Sequence, residues 1–177
     1  SINMSKTSLK KELAGYSKEQ LIEVVLDLYE SRKEVKEYFN FFLNPDSKKL
    51  FEKYQKAVDK EFARSKWGRS KARISVIKKL IKEFESFHPD TEYKDMLYRA
   101  ITRLALQYEQ HNNFSDTLYN GIDYIVGEYL AFADRNEGLD KALDCVNSLI
   151  QYGMPGSRYF KNKISEACRT YIESKSI

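Results

Sequence analysis

The densest chemistry in the sequence is a run of cations. From Ala63 through Lys82 there is no acidic residue, but there are eight basic ones: Arg64, Lys66, Arg69, Lys71, Arg73, Lys78, Lys79 and Lys82. Phosphates are held by such side chains, and the release of condensed counterions supplies the affinity. Trp67 and Gly68 interrupt the run, and a loop aromatic can stack on a nucleic-acid base. Arg64, Lys66, Trp67, Arg69, Lys71 and Arg73 therefore form a candidate anion or nucleic-acid patch. A blander arrangement uses the same residues. Lys78, Lys79 and Lys82 fall opposite an Ile/Leu stripe, so they can be a solvated helix face. The segment can also dock on acids between residues 116 and 144.

A second candidate is a groove of tyrosines and carboxylates in the C-terminal half. Asp116 and Asp123 are seven residues apart and share a helix face near Tyr119. Tyr129, Tyr152 and Tyr159 join them as candidate groove residues, because tyrosine is favoured where protein partners are gripped. The two histidines, His88 and His111, fall at helix C-termini, where a partly charged imidazole is favourable. Glu109 is two residues from His111 and so leaves a helix on a different side. No HExxH, paired Glu-x-x-His, CxxC, glycine-rich phosphate loop or nucleophile elbow occurs. No catalytic residue, metal ligand or cofactor site is expected. Cys145 and Cys168 flank a turn near Met154 at unequal distances, an axial mismatch of about 7.5 Å for an antiparallel pair, so two reduced, buried thiols are expected.

These residues must be positioned by helices. The chain of 177 residues has 7 Gly and 3 Pro with 32% charged residues, which suits helices on short connections and disfavours an all-β fold. Ser8–Leu13 reads as a short basic helix closed by Gly15. Ser17 and Gln20 form a capping box for a helix running to about Ser31. That helix is apolar on a wide face, through Leu21, Val24, Val25, Leu28, Ile22 and Leu26, and is expected to be buried on more than one side. Residues 35–43 continue it or follow a kink. Asn44 caps the next helix with Pro45 in its first turn. Helices follow over 46–63 and 71–87, with a break at 65–70, and His88-Pro89 ends the second of them. Four more run to the C-terminus, with starts near Thr91, Ser115, Leu139 and Pro155. The expectation is an all-α protein of about eight short helices in antiparallel hairpins, with a helical-repeat-like C-terminal half. No 34-residue self-match supports a true repeat array.

Charge divides the chain unevenly. Residues 1–88 carry 20 Lys and Arg against 13 Asp and Glu, and residues 89–177 carry 10 against 13. This places a basic N-terminal subdomain over 4–88 and a C-terminal hairpin subdomain over 89–177, unless the two form one continuous domain. Residues 1–3 read as a vector-derived remnant before a native start at Met4. No apolar run approaches the roughly 18 residues of a membrane span, so a cytoplasmic setting is expected.

The stretch from Leu9 to Phe42, LKKELAGYSKEQLIEVVLDLYESRKEVKEYFNFF, resembles the start of a bacterial all-helical family of unknown function. In that family a short Leu-Lys helix leads into Ser-Lys-Glu-Gln-Leu-Ile. Lys-Glu-Val-Lys-Glu-Tyr-Phe then precedes an Asn-Pro turn and a basic helix, here Lys71 to Ile81. The resemblance implies an all-helical fold and transfers no activity and no functional residue. The expected function is a non-enzymatic scaffold that binds a protein or peptide partner, with self-association open to it. The alternative is a nucleic-acid-associated protein using residues 64–82.

Overall fold

The computed structural model describes residues 3–176; Ser1, Ile2 and Ile177, and with them most of the remnant read over 1–3, lie outside the described residues. The described residues form nine helices and one two-stranded hairpin: α1 (Lys6–Leu13), α2 (Lys18–Ser31), α3 (Lys33–Leu43), α4 (Ser47–Phe62), β1 (Ser65–Lys66), β2 (Arg69–Ser70), α5 (Ile74–Ser86), α6 (Thr91–Glu109), α7 (Asp116–Arg135), α8 (Leu139–Ile150) and α9 (Arg158–Ser174). The fold is all-α, and no helix is long and apolar enough to cross a membrane among the described residues. The chain divides into two compact units, residues 1–45 and 46–177.

Unit 1 holds α1 to α3. The capping box at Ser17 forms: its Oγ accepts the Gln20 N–H, and Gln20 Oε1 accepts the Ser17 N–H at 2.8 Å. Arg32 is extended, with φ −128° and ψ 117°, so residues 33–43 are a separate helix rather than a continuation. α3 packs on α2 and carries an aromatic cluster of Tyr38, Phe39 and Phe42. None of the three helices buries a residue fully. The expectation that α2 is buried on more than one side is therefore corrected. Its apolar residues span an arc of roughly 200°, far more than one neighbouring helix can cover.

Unit 2 holds α4 to α9 and, among the described residues, all of the fully buried ones. Asp46 caps α4 by accepting the Lys49 N–H at 3.0 Å, so the cap is Asp46 rather than Asn44, and Pro45 precedes it. Each helix packs on its sequence neighbour and on the next but one: α4 on α6, α5 on α7, α6 on α8 and α7 on α9. This makes two rows, α4–α6–α8 and α5–α7–α9. The hairpin stack thus begins at α4, upstream of His88-Pro89. That dipeptide is a tight connection, with His88 in the left-handed region at φ 52°, and the division between compact units falls at Pro45–Asp46 instead. The rows press closely where α5 meets α7. A Cβ on Gly121 would stand 2.1 Å from Ile74 Cγ1, so only glycine fits there. The core between the rows is built on Phe62, Phe84, Ile101, Ile122, Tyr129 and Phe160.

Candidate functional site

The cationic segment folds into the chain's β-hairpin. β1 and β2 pair antiparallel, Ser65 with Ser70 and Lys66 with Arg69, leaving Trp67 and Gly68 as a two-residue turn. Both turn residues have positive φ, 56° at Trp67 and 72° at Gly68, the geometry that matches the right-handed twist of paired strands. Glycine adopts it freely; a bulky tryptophan does so at a cost. The neighbouring connection between α6 and α7 holds the hairpin in place. Ser70 N–H donates to the Asn113 carbonyl at 3.0 Å, and Asn113 N–H donates to the Gly68 carbonyl at 2.8 Å. The ring of Trp67 is left 92% exposed on this anchored tip. The hairpin also delays α5, which starts at Ile74 rather than Lys71.

The six patch residues do not act as one set. Glu61, on the last turn of α4 and only 4% exposed, takes two of them. Arg73 grips it as a fork, Nε to Oε1 at 2.7 Å and Nη2 to Oε2 at 3.3 Å, and Arg64 Nη1 donates to Oε1 at 3.1 Å. Burial pushes the Glu61 carboxyl up, but the hydrogen bonds and charges of the two arginines outweigh it and hold the group below its ordinary range. The alternative of docking on acids from 116–144 is thus corrected for this pair, whose counter-charge comes from α4. Lys66, Arg69 and Lys71 remain exposed beside Trp67 with no carboxylate partner among the described residues. Further along, Lys79 pairs with Glu83 and Lys78 lies 4.3 Å over the Tyr124 ring.

The tyrosine and carboxylate set is scattered. Tyr119 and Tyr159 meet edge to face at 5.1 Å. Tyr119 donates to Glu109, and burial first and that carboxylate second push its phenol well above the ordinary range. Asp123 lies 3.3 Å from Lys163; burial raises its carboxyl more than the lysine lowers it. Asp116 is exposed in the first turn of α7. Tyr129 is in the core, donating to Asp95 at 2.7 Å, so it lines no open groove. Tyr152 stands fully exposed in the connection after α8. The sequence places Glu109 only by its offset from His111. It is buried, and it accepts from the Tyr119 hydroxyl, the Ser157 N–H at 2.8 Å and the Ser157 hydroxyl, tying the end of α6 to the cap of α9. A carboxylate closing an apolar helical stripe was the available signal. His88 and His111 sit at the two helix ends expected of them. No cluster of potential metal ligands forms among the described residues. Both cysteines are free of disulfides, but only Cys168 is buried; Cys145 is half-buried, which corrects the expectation of two buried thiols.

These features define an all-helical protein of stacked hairpins. The chain belongs to a family of unknown function, DUF6155, whose model matches residues 4–132, from α1 into α7. No curated protein and no solved structure matches it.

Proposed function

We propose that the protein is a non-enzymatic helical interaction module whose docking element is unit 1, and that its partner surface is a second copy of the same chain. The observation carrying this is α2. Leu21, Ile22, Val24, Val25, Leu26 and Leu28 are each 36–54% exposed on one short helix. A contiguous apolar patch of this kind marks a protein contact, and a 14-residue helix is marginal in water without tertiary packing. Charge favours self-association. Residues 1–45 hold seven basic and seven acidic side chains, so two copies meeting there face no net repulsion. Glu19, Glu23, Asp27 and Glu30 form one stripe on α2, while Lys6 and Lys10 form another on α1, giving complementary faces. The two-row stack of unit 2 suits a helical-repeat-like scaffold, and unpaired thiols suit a reducing cytoplasm. Sedimentation of the intact protein tests the reading. A dimer is expected at micromolar concentration, and Val25→Glu with Leu28→Glu should return it to monomer with its helical content kept. A wild-type chain that stays monomeric at high micromolar concentration overturns it.

A second reading rests on the Trp67 hairpin: single-stranded nucleic acid stacking on the indole, with Lys66, Arg69 and Lys71 on its phosphates. Trp67 is the chain's one tryptophan, so its fluorescence reports directly. Oligothymidine should quench it at low salt. Three phosphate contacts give a slope of log K on log salt near about −2. Absence of quenching at low salt sinks this reading.

A further inference from the structure

The outer face of the α4–α6–α8 row contains a groove of about 550 Å³, within the range of small-molecule sites. Its walls are largely apolar, through Phe51 from α4, Met96 from α6 and Leu149 from α8, with Gln55 and Ser148 as neutral polar groups. Arg99 and Arg103, one turn apart on α6, are its charged lining residues, and no carboxylate lines it. The two cations are not equally neutralised. Arg99 Nη2 donates to Asp95 at 2.6 Å and Nη1 to the Cys145 sulfur at 3.7 Å, while its buried Nε has no acceptor among the described residues. Arg103 is half-buried and has no carboxylate partner among the described residues. Asp95 therefore neutralises Arg99, and also accepts from Tyr129, while Arg103 keeps its charge without a carboxylate partner among the described residues. The groove is left with one surplus positive charge beside apolar walls.

The geometry points to a binding site for a small apolar monocarboxylate, its carboxylate on the Arg103 guanidinium and its hydrocarbon tail along Phe51, Met96 and Leu149. A planar guanidinium matches a carboxylate through two parallel N–H donors, and a single surplus charge matches a single negative group. The low-dielectric walls strengthen that pairing relative to water, and they reward a tail at about 25 cal/mol per Å² of apolar surface removed from water. This site belongs to unit 2 and is independent of the docking role of unit 1.

Cys145 lines the groove and supplies the readout. Cys168 is buried, with its thiol pushed up to about 11 by burial, and serves as an internal sentinel for unfolding. The intact protein is alkylated with iodoacetamide, and labelling of each cysteine is followed by mass spectrometry with and without decanoate below its micellar concentration. Decanoate should slow Cys145 labelling at least fivefold, while decanol and decyltrimethylammonium at equal concentration leave it unchanged. Arg103→Gln should abolish the protection, with Cys168 still unlabelled. In a parallel measurement without ligand, the rate ratio of iodoacetate to iodoacetamide at Cys145 should fall at least threefold in the same variant. Absence of protection, equal protection by decanol, undiminished protection in Arg103→Gln, or Cys168 labelling that rises with decanoate would each overturn the assignment.

Discussion

Glu61 sits where a helix end and a hairpin meet. Arg64 reaches it across one helical turn and Arg73 across the folded-back hairpin, so one buried carboxylate holds two cations that the chain places nine residues apart. Because its folded-state pKa lies below the ordinary value of 4.5, its stabilisation is complete above that value and is lost as pH falls through the folded one. Glu61→Gln should cost about 1–3 kcal/mol at pH 7. The gap to wild type should narrow as pH falls below 4.5 and wild-type Glu61 takes up its proton in turn. Urea unfolding across a descending pH series checks this; a gap that widens as the pH falls contradicts it. The cations were legible in the sequence as an acid-free run, but their partner was not. Glu61 lies just before the run, and only the turn at Trp67-Gly68 brings Arg73 back to it. Composition signalled charge density, while pairing depended on a hairpin that reads as a mere break among helices.

At the scale of elements, helix identity was legible because apolar spacing and side-chain caps are local. Ser17 with Gln20 and Ser115 before α7 act as their residue types require. The ends that shifted are those where a rival local structure intervened, as at α5, where residues 71–73 run on from β2 without helical structure. Gly121 shows how packing is written into a helix. It lies on the buried face of α7, and Ile74 fills the space a Cβ would need. Alanine has the better helix propensity by about 1 kcal/mol. Overpacking against Ile74 should nevertheless dominate, because Cβ to Cγ1 at 2.1 Å forces the α5–α7 spacing open. Gly121→Ala is expected to destabilise by about 1–3 kcal/mol. Gly121→Ala combined with Ile74→Ala should recover part of that loss relative to Ile74→Ala alone. Thermal melts of the four proteins form the cycle; additive losses would mean the two residues do not share the space.

Across the whole molecule, burial is uneven between the two compact units. Among the described residues, every fully buried one lies in 46–176, while residues 3–45 carry apolar surface with no core of their own. The charge boundary near His88-Pro89 suggested a different division, because net charge tracks the surface, whereas compact units are set by which helices interdigitate. α4 and α5 are basic outside, yet their Phe51, Phe62, Ile77 and Phe84 belong to the same core as α6 to α9. A chain starting at Asp46 is therefore expected to fold alone, with a single cooperative thermal transition and near-UV signals from its packed aromatics. It should also sediment as a monomer at concentrations where the intact protein is expected to dimerise, because the self-associating surface is proposed to reside in unit 1. The two readouts are separable. A shortened chain without a cooperative transition would show that unit 1 contributes to folding. One that folds yet still dimerises would move the association surface onto unit 2. Cooperative folding together with loss of association would place stability and docking in different units of one chain.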